Sequence, residues 1–115
     1  MATKTYTADG WTYSRPALCA GMVAVEVRMS ALDAAWSRDW SYIQADGQGA
    51  VEGRLEAMHA YLATGKPIEM PMISVQSSGS VGFYNGRHRT AAARAAGKTS
   101  IWVVMSKADA RRWAR

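Results

Sequence analysis

Val23, Val25 and Val27 alternate with Ala24, Glu26 and Arg28, so the stretch from Met22 to Met29 reads as a β-strand with one buried face. The period then changes. Leu32, Trp36, Trp40 and Ile43 recur at helical spacing and predict one apolar helix face, closed by Asp46-Gly47-Gln48-Gly49. Ser30 and Asp33 stand three apart at its start, in the manner of a capping box. Val51, Leu55, Met58 and Leu62 mark a second helix over 50–64, which Gly65 caps and Pro67 prevents from continuing.

Met70 to Val75 and Val81 to Tyr84 are strand-like runs on either side of Gln76-Ser77-Ser78-Gly79-Ser80, a hairpin turn. Asn85-Gly86 turns the chain into an alanine-rich helix over 87–96 that stops at Gly97. Ser100 to Met105 is an apolar run of strand length, and Ser106 and Asp109 open a short basic tail helix. Upstream, Trp11 and Tyr13 predict a short edge strand that ends before Pro16. The predicted class is an α+β domain: one small mixed sheet of four or five short strands, with three or four helices. No repeat, low-complexity tract or long linker divides it, so residues 1–115 are expected to form a single domain.

Composition narrows the class only a little. Apolar residues make up 49% of the chain, which excludes an intrinsically disordered protein. No run approaches the roughly 20 apolar residues of a membrane span, and the N-terminal residues show no secretory signal. Cys19 is the one cysteine, so no internal disulfide can form. These features lead to the expectation of a cytoplasmic protein.

Charge changes the picture more. The net charge is +5, but its distribution is uneven: residues 85–115 carry +7 and residues 1–84 carry −2. This asymmetry points to an anion-facing surface built from the C-terminal elements, against the plainer reading of a solvated basic helix end. Within that segment lies the most chemically suggestive stretch, Asn85-Gly86-Arg87-His88-Arg89-Thr90. A helix N-terminus presents unpaired N–H groups and a partial positive charge, and cations in a first turn oppose that charge. Two arginines and a histidine placed there call for a compensating anion, most simply a phosphate, which Gly86 would let approach the backbone closely. Arg94, one turn on, extends the same face or merely solvates the helix. Glu69 and His88 are the candidates for acid–base work. Either can equally be structural, as His59 is expected to be. No His, Cys, Asp or Glu cluster has metal-ligand spacing.

Pro67-Ile68-Glu69-Met70-Pro71, the strand pair, Asn85-Gly86-Arg87-His88-Arg89-Thr90-Ala91-Ala92, Gly97 and the final Ile101-Trp102-Val103-Val104-Met105 strand together resemble the ParB/sulfiredoxin-like fold over residues 65–105. That resemblance implies a nucleotide-phosphate site. Family members hold the phosphates of CTP or ATP on this loop, and some are nucleoside triphosphatases or DNases. Asn85, Gly86, Arg87, His88, Arg89, Thr90 and Arg94 would take that role here, with Mg2+ riding on the nucleotide phosphates. Two departures bound the expectation. Sulfiredoxins carry a catalytic cysteine just before the His-Arg pair, where this chain has Arg87, so sulfinic-acid reduction is not expected. The helix-turn-helix domain that follows in chromosome-partitioning proteins has no counterpart here, so sequence-specific centromere binding is not expected either. Two alternatives stand beside nucleotide binding: a nucleic-acid-binding or nicking protein that stacks bases on Phe83 or Tyr84, and a plasmid- or phage-type inhibitor acting on a protein target.

Overall fold

Short β-hairpin chemistry starts the chain. Asp9 and Gly10 both adopt left-handed backbone (φ +51° and +81°), the two-residue turn that joins β1 (Tyr6–Ala8) to β2 (Trp11–Ser14). The computed structural model describes residues 5–17 and 19–114; Met1–Lys4, Leu18 and Arg115 lie outside it, so the first residues of the N-terminal signal reading and the last basic charge fall outside the described residues. In chain order there follow β3 (Met22–Arg28), α1 (Met29–Trp36), α2 (Arg54–Leu62), β4 (Ile68–Glu69), β5 (Met72–Val75), β6 (Val81–Asn85), α3 (Arg87–Ala95), β7 (Ser100–Ser106) and α4 (Lys107–Trp113).

The α+β class holds, but the described residues form two mixed sheets instead of one, with seven strands in place of four or five. The first has the order β1-β2-β4 and the second β3-β7-β5-β6. In the first, β1 and β2 are antiparallel while β4 runs parallel to β2. In the second, β7 is antiparallel to β3 and parallel to β5, and β6 is antiparallel to β5. One short segment joins the sheets. The Met70 N–H donates to Ser14 O at 2.9 Å in the first, and Pro71 O accepts from Val104 N–H at 2.9 Å in the second. That handover splits the strand expected over 70–75: its first two residues leave the ladder and β5 begins at Met72.

Central position dictates the composition of β7. Ile101, Val103, Val104 and Met105 are all buried, a nearly continuous apolar run of the kind a strand covered on both faces requires. The sheets meet where Tyr6 and Trp102 stack edge to face at 5.0 Å and the Trp102 indole donates to Thr7 O. Across the other face, Trp36, Ile43 and Ala91 form a second apolar cluster with Phe83, and burying each large side chain there contributes about 1.5–3 kcal/mol.

Helix boundaries differ from expectation for physical reasons. The chain passes straight from β3 into α1, with Arg28 at the N-cap and no side-chain cap. Ser30 therefore sits inside the first turn, and the expected Ser30–Asp33 box does not form. At the other end the Ser37 hydroxyl donates to Ala34 O, and the Asp39 carboxylate accepts from both the N–H and the hydroxyl of Ser41. Such local side-chain bonds compete with helix and end it at Trp36. Ile43 reaches the core from a loop, while Trp40 is 92% exposed. The second helix starts at Arg54, behind Gly53 at φ +81°, four residues later than expected. At the tail helix one half of the box forms: the Ser106 hydroxyl accepts from Asp109 N–H, while the Asp109 carboxylate bonds Arg112.

Candidate functional site

Gly86 (φ +93°) ends β6 and Arg87 is the first residue of α3, as the change of period predicts. The glycine is required by the fold. A Cβ at Gly86 would lie 2.7 Å from Pro71 Cα, so its missing side chain makes room for the segment that joins the sheets. Gly86 thus has a structural role beside the ligand-approach role expected of it.

No acid occupies the first turn of α3, yet its cations are not bare. Arg87 Nη1 donates to Ser41 O at 3.2 Å and to Gly49 O at 3.0 Å. Arg89 Nη1 donates to Glu69 O at 2.6 Å, Nη2 donates to Asn85 Oδ1 at 2.9 Å, and the Glu69 carboxylate lies 3.5 Å away. Both arginines thus brace neighbouring loops. Burial pulls the Arg89 guanidinium below its usual range, and Glu69 opposes that shift.

His88 is buried, and its Nε2 accepts the Val51 N–H at 3.0 Å. Burial, then the neighbouring Arg87 and Arg54 charges, push its pKa down, which keeps the ring neutral and able to accept. The Thr90 hydroxyl donates back to Gly86 O at 3.0 Å, and Thr90 is buried. Arg94 lies near the C-terminal end of the helix, and its guanidinium is engaged there. It bonds Asp33 Oδ1 and Ile43 O, both at 2.6 Å, and lies 5.6 Å from the Trp36 ring and 5.4 Å from that of Tyr42.

Asn85, Gly86, Arg87, His88 and Arg89 therefore come together at one cleft of ≈ 560 Å³, between the first turn of α3 and α2. Thr90, Arg94 and Glu69 lie outside its lining. Beyond the motif the cleft gains Arg54, Ala57 and Met58 from α2. Arg54 is 33 positions before Arg87, and no periodicity or spacing links them; only the packing of α2 on α3 does. No carboxylate lines the cleft, so its residues do not fit a protein-held magnesium ion. Among the described residues no group of three His, Cys, Asp or Glu could hold a metal.

A larger cavity of ≈ 880 Å³ lies at the other end of α3, lined by Glu26, Arg28, Asp33, Arg94 and Lys98 among others. Its acids disfavour an anion, and they are already engaged, Asp33 by Arg94 and Glu26 by the Ser100 hydroxyl. Comparison of the chain with protein-family models, curated proteins and solved structures found no match. Among the described residues no helix is long and apolar enough to cross a membrane.

Proposed function

We propose that this chain is a small ParB/sulfiredoxin-like domain that binds a nucleoside triphosphate, or a similar phosphate-rich ligand, in the cleft between α2 and α3. One observation carries the reading. The first turn of α3 opens into a cleft with Arg54, Arg87 and Arg89 in its wall and no carboxylate. The leading N–H groups of an α-helix have no intrahelical partner, so this turn offers backbone donors beside the arginines. Tyr84 and Met58, in the same wall, offer an apolar rest for a base. The order strand, hairpin, helix, strand over residues 68–106 supports the family resemblance.

The reading is binding rather than hydrolysis. The His88 lone pair is spent on Val51, and the Glu69 carboxylate faces Arg89 instead of the cleft. Neither group is placed to activate a water. Calorimetric titration with CTP, ATP, GTP and pyrophosphate, each with and without Mg2+, tests the proposal. At least one should bind, and Arg54→Ala should weaken it about 10-fold, the scale of one charge-assisted hydrogen bond. Wild-type protein that binds none of the four sinks the proposal.

A further inference from the structure

Trp40 is the most exposed large apolar side chain among the described residues, at 92%, yet the backbone around it is tightly held. Asp39 N–H donates to Trp36 O at 2.8 Å and Tyr42 N–H to Asp39 O at 3.1 Å. Ser41 is buried and triply tied: its hydroxyl bonds the Asp39 carboxylate and accepts from the Trp36 indole, and its carbonyl accepts from Arg87. A rigid loop therefore holds an indole out in water. Fixed presentation of a large flat ring lowers the entropy lost when a partner stacks on it.

The surroundings of the ring define the partner. Its neighbour Ser41 bonds the Arg87 guanidinium, and Arg87 lines the cleft beside Tyr84, which is itself 69% exposed. Arg87 thus links the loop that carries Trp40 to the cleft wall that carries Tyr84. A mononucleotide has one base and needs one ring; two exposed rings linked through a cation match two bases joined by a phosphate. We infer that the cleft and the Trp40 loop together bind single-stranded nucleic acid, with bases stacked on Tyr84 and Trp40 and the linking phosphate near Arg87. The absence of carboxylates from the cleft supports a polyanion over an uncharged or basic partner. This inference rests on the phosphate-binding reading of the cleft and extends it from one nucleotide to a strand.

Fluorescence anisotropy with a labelled oligothymidylate of about 12 nucleotides at about 50 mM salt tests it. Trp40→Ala should weaken binding about 10-fold, the usual scale for loss of one stacked base, and Trp40→Phe should restore most of it. Pyrophosphate binding measured on the same Trp40→Ala protein should be unchanged, which also shows that the variant is folded. Equal oligothymidylate affinity for wild type and Trp40→Ala overturns the inference. So does an absence of wild-type binding, and so does sedimentation in which Trp40 governs self-association alone. Trp40-dependent oligothymidylate binding without any response to CTP, ATP, GTP or pyrophosphate upholds the strand reading and sinks the mononucleotide one.

Discussion

The Val51 N–H donates to His88 Nε2 at 3.0 Å, across 37 residues of chain. This bond fastens the approach to α2 onto the first turn of α3, and only a neutral imidazole can accept it. The folded His88 has a pKa below its ordinary 6.5, because burial and the Arg87 and Arg54 charges disfavour the imidazolium. Below that ordinary value the unfolded chain binds the extra proton more readily than the folded one. Stability contributed by neutral His88 is therefore complete above about pH 7.5 and is lost as pH falls through 6.5 toward the depressed folded value. Urea unfolding of wild type and His88→Gln between about pH 8 and pH 5 should show wild type losing stability relative to the variant. A difference that stays flat across that range contradicts the assignment.

Arg89 is expected to matter before any ligand is added. Its guanidinium satisfies Glu69 O and Asn85 Oδ1 and faces the Glu69 carboxylate. Arg89→Ala should destabilise the free protein by about 1–3 kcal/mol, the scale of lost charged hydrogen bonds. Relief of a cation at a positive helix end, a few tenths of a kcal/mol, is too small to reverse the sign. A melting temperature equal to or above that of wild type would show that these bonds contribute nothing.

Two glycines with similar backbone separate crowding from conformation. Gly86 and Gly97 have φ of +93° and +80°, but a Cβ on Gly86 meets Pro71 Cα at 2.7 Å and Pro71 Cβ at 2.8 Å, while one on Gly97 meets nothing within 4 Å. Gly97→Ala should cost about 1–2 kcal/mol, the left-handed penalty alone. Gly86→Ala should cost clearly more, since backbone at Pro71 must shift. Equal losses in denaturant melts would remove the close approach as an explanation for Gly86.

The Tyr13 hydroxyl is buried without a hydrogen-bond partner, and burial pushes its pKa up. Tyr13→Phe removes a desolvated polar atom and leaves the ring in place. Stability should be unchanged or rise by about 1 kcal/mol. A loss of more than about 1 kcal/mol would reveal a partner for that hydroxyl in solution.

Period-based reading found β3, the β5–β6 hairpin, α3, β7 and α4, because each obeys its own local rule. It missed β1, although Asp9-Gly10 is a strong hairpin signal, because Tyr6-Thr7-Ala8 is too short to show alternation. It extends α1 through Ile43 because spacing carries no information about Asp39 and Ser41 competing for the backbone. The first turn of α3 is legible as a concentration of like charge at a positive helix end. Its partners are not, since Ser41 O, Gly49 O and Glu69 O are backbone acceptors that any residue type supplies. Arg94 shares the Arg87 face, as the helical wheel has it, but two turns on it is engaged by Asp33, Ile43 O and two aromatic rings and does not line the cleft.

The order β3-β7-β5-β6 sets a timetable for the nascent chain. In the second sheet β3 bonds only β7, in a register that runs from Met22↔Ser106 to Arg28↔Ser100, so its partner lies more than seventy residues downstream. On the ribosome, β3 emerges early and waits with its ladder unmade until β7 follows. The β5–β6 hairpin can close on its own, but β7 must slot between it and β3 to complete the sheet. Assembly is therefore gated by the last strand to be synthesised, and a long-range closure of this kind belongs to the slower end of small-domain folding. A chain interrupted before Ser100 would present β3 and β5 as open edges, competent to pair with a neighbour on the same messenger.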